Sequence, residues 1–266
     1  MRARLLLLSL LCLSGCVRRD ERPSWAKPPE KGVQGDGTIA GEPAHIPRAA
    51  QKPTLDGKLD EAMWQSAVVL GPFVGPGNGE AAHPKSPVAG FARLAWDDQN
   101  LYLGAVVGDR APVSPFQQGD ADPHIWEQSS AVELMIQPGD PSDNKGYFEL
   151  QIDIASAVFD TSWDDYNKPI AGGPDEAHKK FGHMEWSSKV ERAVHVEQGK
   201  FYSIEAAIPW TSFAGTRFAS PPKAGDVWRV NLYSFRDGQR QALAWSPIRG
   251  QGNFHKSARF GRVKFD

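Results

Sequence analysis

The chain has 266 residues, a formal net charge of −2 and a pI near 6.4. This balance gives no electrostatic basis for nucleic-acid binding, which depends on clustered Lys and Arg side chains. The two cysteines, Cys12 and Cys16, both lie close to the N-terminus. The remainder of the chain therefore has no disulfide, cysteine nucleophile or cysteine-based metal site, and must be stable through its core alone.

The N-terminus has the pattern of a targeting signal. Two arginines precede the apolar run Leu5–Leu13, which is too short to span a bilayer as a helix. The run ends in Leu13-Ser14-Gly15-Cys16, which resembles the lipobox of bacterial lipoproteins. This resemblance implies that residues 1–15 are a signal peptide and that Cys16 is lipidated, which anchors the protein to a membrane. The alternative is an ordinary secretory signal with an incidental cysteine.

In such lipoproteins an Asp directly after the lipidated Cys favours retention in the inner membrane. Val17 follows here, which implies the outer membrane, facing either the periplasm or the cell surface. Residues 16–50 are rich in Pro, Gly, Lys and Glu and lack apolar periodicity, so a flexible linker is predicted. Trp25, within this linker, is interpreted as incidental. The globular domain is predicted to cover residues 51–266.

The globular part consists of short apolar runs separated by turn residues, a pattern typical of an antiparallel β-sandwich. Short helical turns are predicted only at Leu59–Ala67 and Trp210–Phe213. The fold class predicted is all-β, a jelly-roll-like antiparallel sandwich with one or two short helices. The predicted strands are Phe91–Trp96, Leu101–Val107, Ala131–Ile136, Tyr147–Ile154, Ala157–Thr161, Lys189–Val196, Tyr202–Ile208, Val227–Phe235, Ala242–Trp245 and Arg259–Phe265.

One stretch combines residues that suit a sugar. Trp126 lies in a polar loop, and Glu133 follows in an apolar strand. An indole can cover the C–H face of a pyranose, and a carboxylate accepts hydrogen bonds from its hydroxyls. Gln151 and Asp153 occupy alternate positions of the next run, so their side chains share one face. The alternative interpretation is a core Trp, a strand Glu with its partners satisfied, and a solvated strand face.

Five groups of residues, in this order along the chain, resemble motifs of carbohydrate-binding module family 9 and its relatives. They are Leu55-Asp56-Gly57-Lys58-Leu59-Asp60-Glu61 with Trp64; Trp96-Asp97-Asp98 with Leu101-Tyr102-Leu103; Trp126-Glu127-Gln128 with Val132-Glu133-Leu134; Glu205-Ala206-Ala207-Ile208-Pro209-Trp210; and Trp245-Ser246-Pro247 with Phe254-His255 and Phe260-Gly261. The resemblance covers residues 53–266 and implies a sugar-binding β-sandwich related to DOMON-type domains.

In that family a terminal sugar is held between two aromatic rings with polar strand residues beside it. The resemblance implies that Trp126 is the first ring and that Phe254 stands where the best-known members have Trp. Gln151 stands in place of a strand Arg, and Asp153 in place of an amide. His255, next to the second ring, is a further candidate, with a packing role as its alternative. The expected ligand-binding residues are Trp126, Glu133, Gln151, Asp153, Phe254 and His255.

The function predicted is a membrane-tethered lipoprotein that binds the ends of poly- or oligosaccharides, in their capture or catabolism, without chemistry of its own. One alternative is a hydrolase acting on O-glycosyl compounds, which needs two acids about 5–9.5 Å apart. The strand carboxylates considered for such a pair are Glu133, Glu149, Asp153 and Asp160.

No cofactor is firmly expected. The resemblance adds structural calcium as a candidate, because loop carboxylates such as Asp56 with Asp60, or Asp120 with Asp122, suit that ion; no metal ligands are assigned. A second alternative function is b-type haem binding, as in DOMON-like domains, with Met135, or Met184 beside His183, as the candidate ligands. Met135 is otherwise interpreted as core packing.

Overall fold

The computed structural model describes residues 20–38, 41–83, 85–168, 182–236, 241–250 and 253–266. The expected signal peptide, residues 1–15, and the expected lipidation site Cys16 lie outside these residues. Within them the chain forms two β-sheets packed face to face, with only short helical segments. The predicted all-β sandwich is therefore confirmed.

The smaller sheet is antiparallel and has the strand order β2-β3-β4-β9-β8. Its strands are β2 (Val68–Leu70), β3 (Gly90–Trp96), β4 (Asn100–Val107), β8 (Glu191–Glu197) and β9 (Phe201–Pro209). We refer to it as the five-stranded sheet.

The larger sheet has the order β1-β12-β10-β5-β6-β7, and β11 pairs with the far end of β10. All its pairings are antiparallel except β1 with β12. Its strands are β1 (Ala44–Ile46), β5 (Ala131–Gln137), β6 (Tyr147–Asp153), β7 (Val158–Trp163), β10 (Val227–Arg236), β11 (Gln241–Ala244) and β12 (Gly261–Phe265). We refer to it as the seven-stranded sheet.

The ten predicted strands all form, with ends within two residues of the prediction. The predicted helical turns become α1 (Ala62–Ser66) and a 3-10 turn at Trp210–Phe213; further 3-10 turns lie at Ser24–Ala26 and Ser257–Arg259. The prediction missed β1, β2 and the one-turn helix α2 (Ile125–Gln128). The two missed strands have three residues each, too few to show an alternation of period two.

Alternation along the strands builds the core between the sheets. In β9 the side chains of Tyr202, Ile204 and Ile208 point into it, and in β10 those of Trp228 and Leu232 do so. The opposite positions face outward and pack under loops, so each sheet has a second apolar cluster on its outer face. The outer face of the seven-stranded sheet carries the expected site residues.

One family motif is held by a buried carboxylate. Glu205, on the outer face of β9, accepts hydrogen bonds from the backbone N–H groups of Asp56 and Gly57 (both 2.9 Å) and from Trp64 Nε1 (2.8 Å). Gly57 has φ +86°, and a Cβ there would lie 2.5 Å from the backbone nitrogen of His195. The Asp-Gly turn and Trp64 are thus both held against the sheet by the Glu205 carboxylate.

Two other family motifs also hold distant segments of the sandwich together. The Asp97 carboxylate accepts a hydrogen bond from the Tyr102 hydroxyl (2.6 Å), and the Asp97 backbone carbonyl accepts one from Trp210 Nε1 (2.7 Å). These bonds attach the β3–β4 hairpin to the 3-10 turn at the end of β9. At the C-terminus the Trp245 ring lies against Gly261, where a Cβ would stand 2.5 Å from the indole. The motifs that support the family resemblance therefore stabilise the sandwich.

The N-terminal segment differs from the predicted flexible linker. Ala26 is fully buried, and the Trp25 ring meets Phe201 edge-on at 5.6 Å on the outer face of the five-stranded sheet. Val33 hydrogen-bonds along β2 and accepts from Trp245 Nε1 (2.7 Å), and β1 extends the seven-stranded sheet. The linker prediction is wrong for these described residues, and Trp25 is not incidental. A segment with few apolar side chains can still be ordered when those side chains pack against a sheet that other strands have already formed.

Candidate functional site

The expected polar site residues meet on the outer face of the seven-stranded sheet. The strand registers place Tyr233 of β10, Glu133 of β5, Gln151 of β6 and Phe159 of β7 in one row across four neighbouring strands. Side chains directly opposite one another in antiparallel strands lie about 4.5–5.5 Å apart. The row therefore has an aromatic ring at each end and an acid–amide pair in the middle.

Gln151 connects two buried carboxylates. Its Nε2 donates to Glu133 Oε2 (2.9 Å) and to Glu149 Oε1 (2.7 Å), and Trp163 Nε1 donates to Glu149 Oε2 (2.9 Å). Only the amide nitrogen can donate to both acids, so the network itself defines the orientation of the amide. We call Glu133, Glu149 and Gln151 the acid cluster. Glu133 Oε1 and Gln151 Oε1 are buried and have no hydrogen-bond partner in the described part of the chain.

Burial makes the acid cluster hold protons readily. It raises the pKa of Glu149 to about 7, against the hydrogen bonds from Trp163 and Gln151. Burial, and next the charge of Glu149, raises the pKa of Glu133 well above its usual range. Two neighbouring carboxylates in a low-dielectric environment cannot both ionise without a large cost. Near neutral pH the cluster therefore carries at most one full negative charge.

The two predicted rings stand at opposite ends of the row. Phe254 stacks on Tyr233, with ring centroids 3.9 Å apart and an angle of 4°. Trp126 meets Phe159 edge-on at 4.7 Å and stacks on His124 at 4.6 Å. Three strand spacings separate the anchoring residues Tyr233 and Phe159, which is about 14 Å. The structure thus places both rings on one face, on either side of Glu133 and Gln151, without contact between them.

Trp126 is half-buried because a single helical turn presents it. Ile125 fills the apolar cluster beneath, and Ser129 closes the turn by donating its N–H to the Ile125 carbonyl (3.0 Å). The sequence predicted a loop here. The helix is shorter than any periodicity can reveal, and it forms because Ile125 is anchored.

His255 joins the acid cluster through rings and hydrogen bonds. Its Nδ1 is 3.0 Å from the Tyr147 hydroxyl, and its Nε2 is 3.9 Å from Glu149 Oε2. The Tyr166 ring stacks on the imidazole at 3.9 Å and 8°. His255 therefore lies beside the acid cluster, while Phe254 next to it in sequence covers Tyr233.

Asp153 has a different environment from the other expected residues. One carboxylate oxygen accepts hydrogen bonds from the backbone N–H groups of Ala155 and Ala157 (both 2.9 Å). The other accepts hydrogen bonds from the hydroxyls of Ser129 (2.8 Å) and Ser114. These bonds close the β6–β7 turn and attach α2 to it. The structure does not bring Asp153 into the acid cluster, and its donors explain why an acid stands there.

Sequence reasoning considered Glu149 only as part of a hydrolytic pair and did not select the rings around it. The signal was present, because Tyr147 and Glu149 alternate with Gln151 in β6 and so share its face. Tyr233 and Trp163 were accessible only through the strand register, and Tyr166 only through the return of a loop. The missed residues of the site are Tyr147, Glu149, Trp163, Tyr166 and Tyr233.

The described residues contain no group of three or more His, Cys, Asp or Glu side chains that could hold a metal ion. Both ring nitrogens of His183, a candidate haem ligand, contact carboxylates: Nε2 lies 2.8 Å from Asp164 and Nδ1 lies 3.1 Å from Glu185. Met135 is buried in the apolar cluster of this face. In the described ranges, no helix is long and apolar enough to cross a membrane.

A family model described as carbohydrate family 9 binding domain-like matches residues 55–266. The chain belongs to this family. Family 9 domains are non-catalytic carbohydrate-binding modules, which is consistent with the expectation that this chain is not an enzyme. The hydrolase and haem alternatives are not favoured. A comparison with curated protein sequences finds no match.

Solved structures show the same fold at low sequence identity. A candidate carbohydrate-binding protein from Bacteroides uniformis matches with a TM-score of 0.61 and 17% identity, over 85% of this chain and 100% of that chain. A family 9 module from Caldicellulosiruptor kristjanssonii matches in complex with cellotriose (TM-score 0.51, 14% identity, 84% and 93% covered) and with glucose (0.52, 16%, 84% and 95%).

Proposed function

We propose that this family 9 protein is a lipid-anchored lipoprotein of the outer membrane that captures the ends of oligo- or polysaccharides for their catabolism. The single observation that supports sugar binding most strongly is the arrangement on the outer face of the seven-stranded sheet. There Trp126 and Phe254 flank the acid–amide pair Glu133 and Gln151. Flat rings beside buried hydrogen-bonding groups are what a pyranose with an apolar face and polar edge requires.

The polar groups lie deep in this surface. Glu133 and Gln151 are each 1% exposed, whereas Trp126 is half-buried. A ligand would therefore meet the Trp126 ring first, and would reach the acid cluster only if the rings above the cluster moved apart. Hydrogen bonds formed there would be shielded from water. A ligand that lacks the matching hydroxyl would leave the buried groups without hydrogen-bond partners. This gives the site selectivity as well as affinity.

The relatives add support for the class of ligand. Cellotriose and glucose are the ligands of the Caldicellulosiruptor kristjanssonii module. We infer a glycan end as the ligand class here. The lipobox-like Leu13-Ser14-Gly15-Cys16 supports the anchor. Because Trp25 packs on the sandwich, at most about 30 Å of extended chain separates it from Cys16, so capture would occur close to the membrane.

A glycan array with the soluble fragment 17–266 tests sugar binding, run with and without calcium so that a structural ion is tested as well. The glycan that binds is then titrated by calorimetry against Trp126→Ala. We expect a loss of affinity of about two- to tenfold or more, because stacking contributes roughly 0.5–1.5 kcal/mol beyond burial.

The matched control is Trp25→Ala, which removes a half-buried indole from the outer face of the five-stranded sheet. It should leave the affinity unchanged. Equal affinity of wild type and Trp126→Ala would place the binding site elsewhere, and an array without any binding glycan would refute the proposed function.

A further inference from the structure

The acid cluster offers hydrogen-bond acceptors for which the described residues supply no donors. Glu133 Oε1 and Gln151 Oε1 are both buried and unpartnered. A carboxylate oxygen and an amide carbonyl oxygen accept hydrogen bonds. Thr161 Oγ1, opposite Glu149 in the strand register, is also unpartnered, and as a hydroxyl it can accept as well as donate.

The hydrogen-bond donors next to these oxygens already donate to other acceptors. Both hydrogens of Gln151 Nε2 go to the two carboxylates, and Trp163 Nε1 donates to Glu149. The Tyr233 hydroxyl donates to the Phe254 carbonyl, and the Tyr147 hydroxyl is bonded to His255. A ligand that brings only further acceptors has nothing to bind in this network.

In the ranges that the structure describes, no Lys or Arg forms a hydrogen bond or ion pair with Glu133 or Glu149. Among the described residues, His255 can carry a positive charge and lies 3.9 Å from Glu149. The titratable groups around the two acids are Tyr147 on β6, Tyr233 on β10, and His255, Tyr166 and Asp165 on the covering loops.

We propose that the site selects a sugar bearing a protonated amine, such as a glucosamine end, over neutral sugars; this rests on the proposed function. An ammonium group has three donors and no acceptor, which matches an acceptor-rich set of buried oxygens. Its charge balances the carboxylates, and the rings that line this face attract cations through their π-faces. A hydroxyl brings no positive charge, so it does not favour the ionised form of the acids.

Amine binding has a consequence for protons. A bound ammonium favours the ionised acids, so the acid cluster releases protons to the solvent when the amine enters. At pH 6 the sugar amine is protonated, and the cluster holds protons because burial raises the pKa of Glu149 to about 7. Proton release is measured by calorimetry in two buffers of different ionisation enthalpy.

The test compares glucosamine, glucose and N-acetylglucosamine on the soluble fragment 17–266 at pH 6. We expect glucosamine to bind at least about tenfold more tightly than both neutral sugars, since a hydrogen bond to a charged group contributes about 1.5–3 kcal/mol, or about ten- to a hundred-fold. Its binding enthalpy should depend on the buffer, and that of glucose should not.

Glu133→Gln keeps the side-chain shape and removes the charge, so the ratio of glucosamine affinity to glucose affinity should fall about tenfold. The matched control is Glu127→Gln, an exposed acid beside Trp126, which should keep the preference. A thermal midpoint for each variant confirms that it is folded.

The outcomes separate this inference from the proposed function. Equal affinity for the three sugars, or an unchanged preference in Glu133→Gln, overturns amine selection and leaves carbohydrate binding intact. If no member of the glycan array and none of the three sugars binds, both proposals fail. Buffer-dependent enthalpy of glucosamine binding that disappears in Glu133→Gln supports the inference.

Discussion

Gln151 is the residue on which the chemistry of the candidate site depends. One side-chain amide separates two buried acids and donates to both, which relieves part of their repulsion. An Arg at the same position would compensate the acids fully. With an amide instead, the carboxylates are stabilised by hydrogen bonds alone, and burial raises the pKa of each of them. This single position therefore determines both the charge of the site and its response to pH.

Residue-scale effects of pH can be measured with Glu149→Gln. The folded pKa of Glu149 is raised from 4.5 to about 7, so the folded state binds the proton more tightly than the unfolded state. Protonation of Glu149 therefore increases the free energy of unfolding by on the order of 3 kcal/mol as the pH falls from about 7 to about 4.5. The free energy of unfolding of wild type minus that of Glu149→Gln should grow by this amount between pH 8 and pH 4.5.

Denaturant unfolding at three pH values measures this difference, and a constant offset caused by the substitution cancels. Exposed Glu127→Gln serves as control. A wild-type-minus-Glu149→Gln difference that does not change with pH would mean that Glu149 is not desolvated.

Trp126 and Trp228 provide a second residue-scale contrast. Trp228 is 1% exposed in the core between the sheets, and its replacement by Ala should cost about 3–5 kcal/mol. Trp126 is half-buried on a helical turn, and Trp126→Ala should cost about 1–2 kcal/mol. Thermal unfolding of both variants checks this. A loss at Trp126 as large as at Trp228 would support the interpretation of Trp126 as a core residue.

At the scale of elements, residues of the family motifs form hydrogen bonds that hold together segments distant in sequence. Trp64 of α1 donates its indole N–H to Glu205 of β9, and the same carboxylate holds the Asp56-Gly57 turn. A strand, a helix and a turn thus depend on one buried acid. Their association explains why the motif residues indicate the fold more reliably than they indicate the ligand.

This fastening can be tested by Trp64→Phe, which keeps an aromatic ring and removes the donor. We expect a loss of about 1–3 kcal/mol, because Glu205 Oε1 remains buried without its partner. A double-mutant cycle with Glu205→Gln isolates the contact, and the two losses should be clearly non-additive. Additive losses would show that the two side chains do not act on one another.

At the scale of the whole molecule, the N-terminal segment wraps from the outer face of one sheet to the edge of the other. Trp25 and Ala26 cover the five-stranded sheet, Val33 follows β2, and β1 pairs with β12. The segment thus protects two strand edges that would otherwise present unpaired backbone groups. Lipid anchoring through Cys16, as proposed, would then hold the sandwich itself near the bilayer.

Removal of residues 17–38 should destabilise the domain by about 2–3 kcal/mol, because the burial of one large aromatic side chain is lost along with the bonds to β2. Denaturant unfolding of the shortened chain measures this, and Trp25→Ala should reproduce only part of the loss. An unchanged free energy of unfolding would favour the flexible linker that composition predicted.

Membrane attachment is tested by Cys16→Ser in the full chain. Because acyl chains on this residue would be the sole anchor after signal cleavage, the variant should move from the membrane fraction to the soluble fraction or remain uncleaved. Fractionation followed by immunoblotting checks the outcome. Membrane partitioning equal to that of the wild type would contradict the lipoprotein proposal.

The sequence by itself determined ten of the twelve strands that the structure describes and the face on which each of their residues lies, because alternation of period two is a local property of the backbone. It also placed Gln151 and Asp153 on one face of a strand. It could not show that Glu133 pairs with Gln151, since the partner strand and its register depend on contacts between distant segments.

Only the tertiary structure decided which residues form the site. It directed Asp153 into a turn, brought Glu149 and Trp163 to Gln151 through the β6–β7 register, and returned His255 to the cluster on a loop. It likewise packed the polar N-terminal segment on the sandwich. In each case the deciding energy is burial or hydrogen bonding between residues far apart in sequence, which no local pattern records.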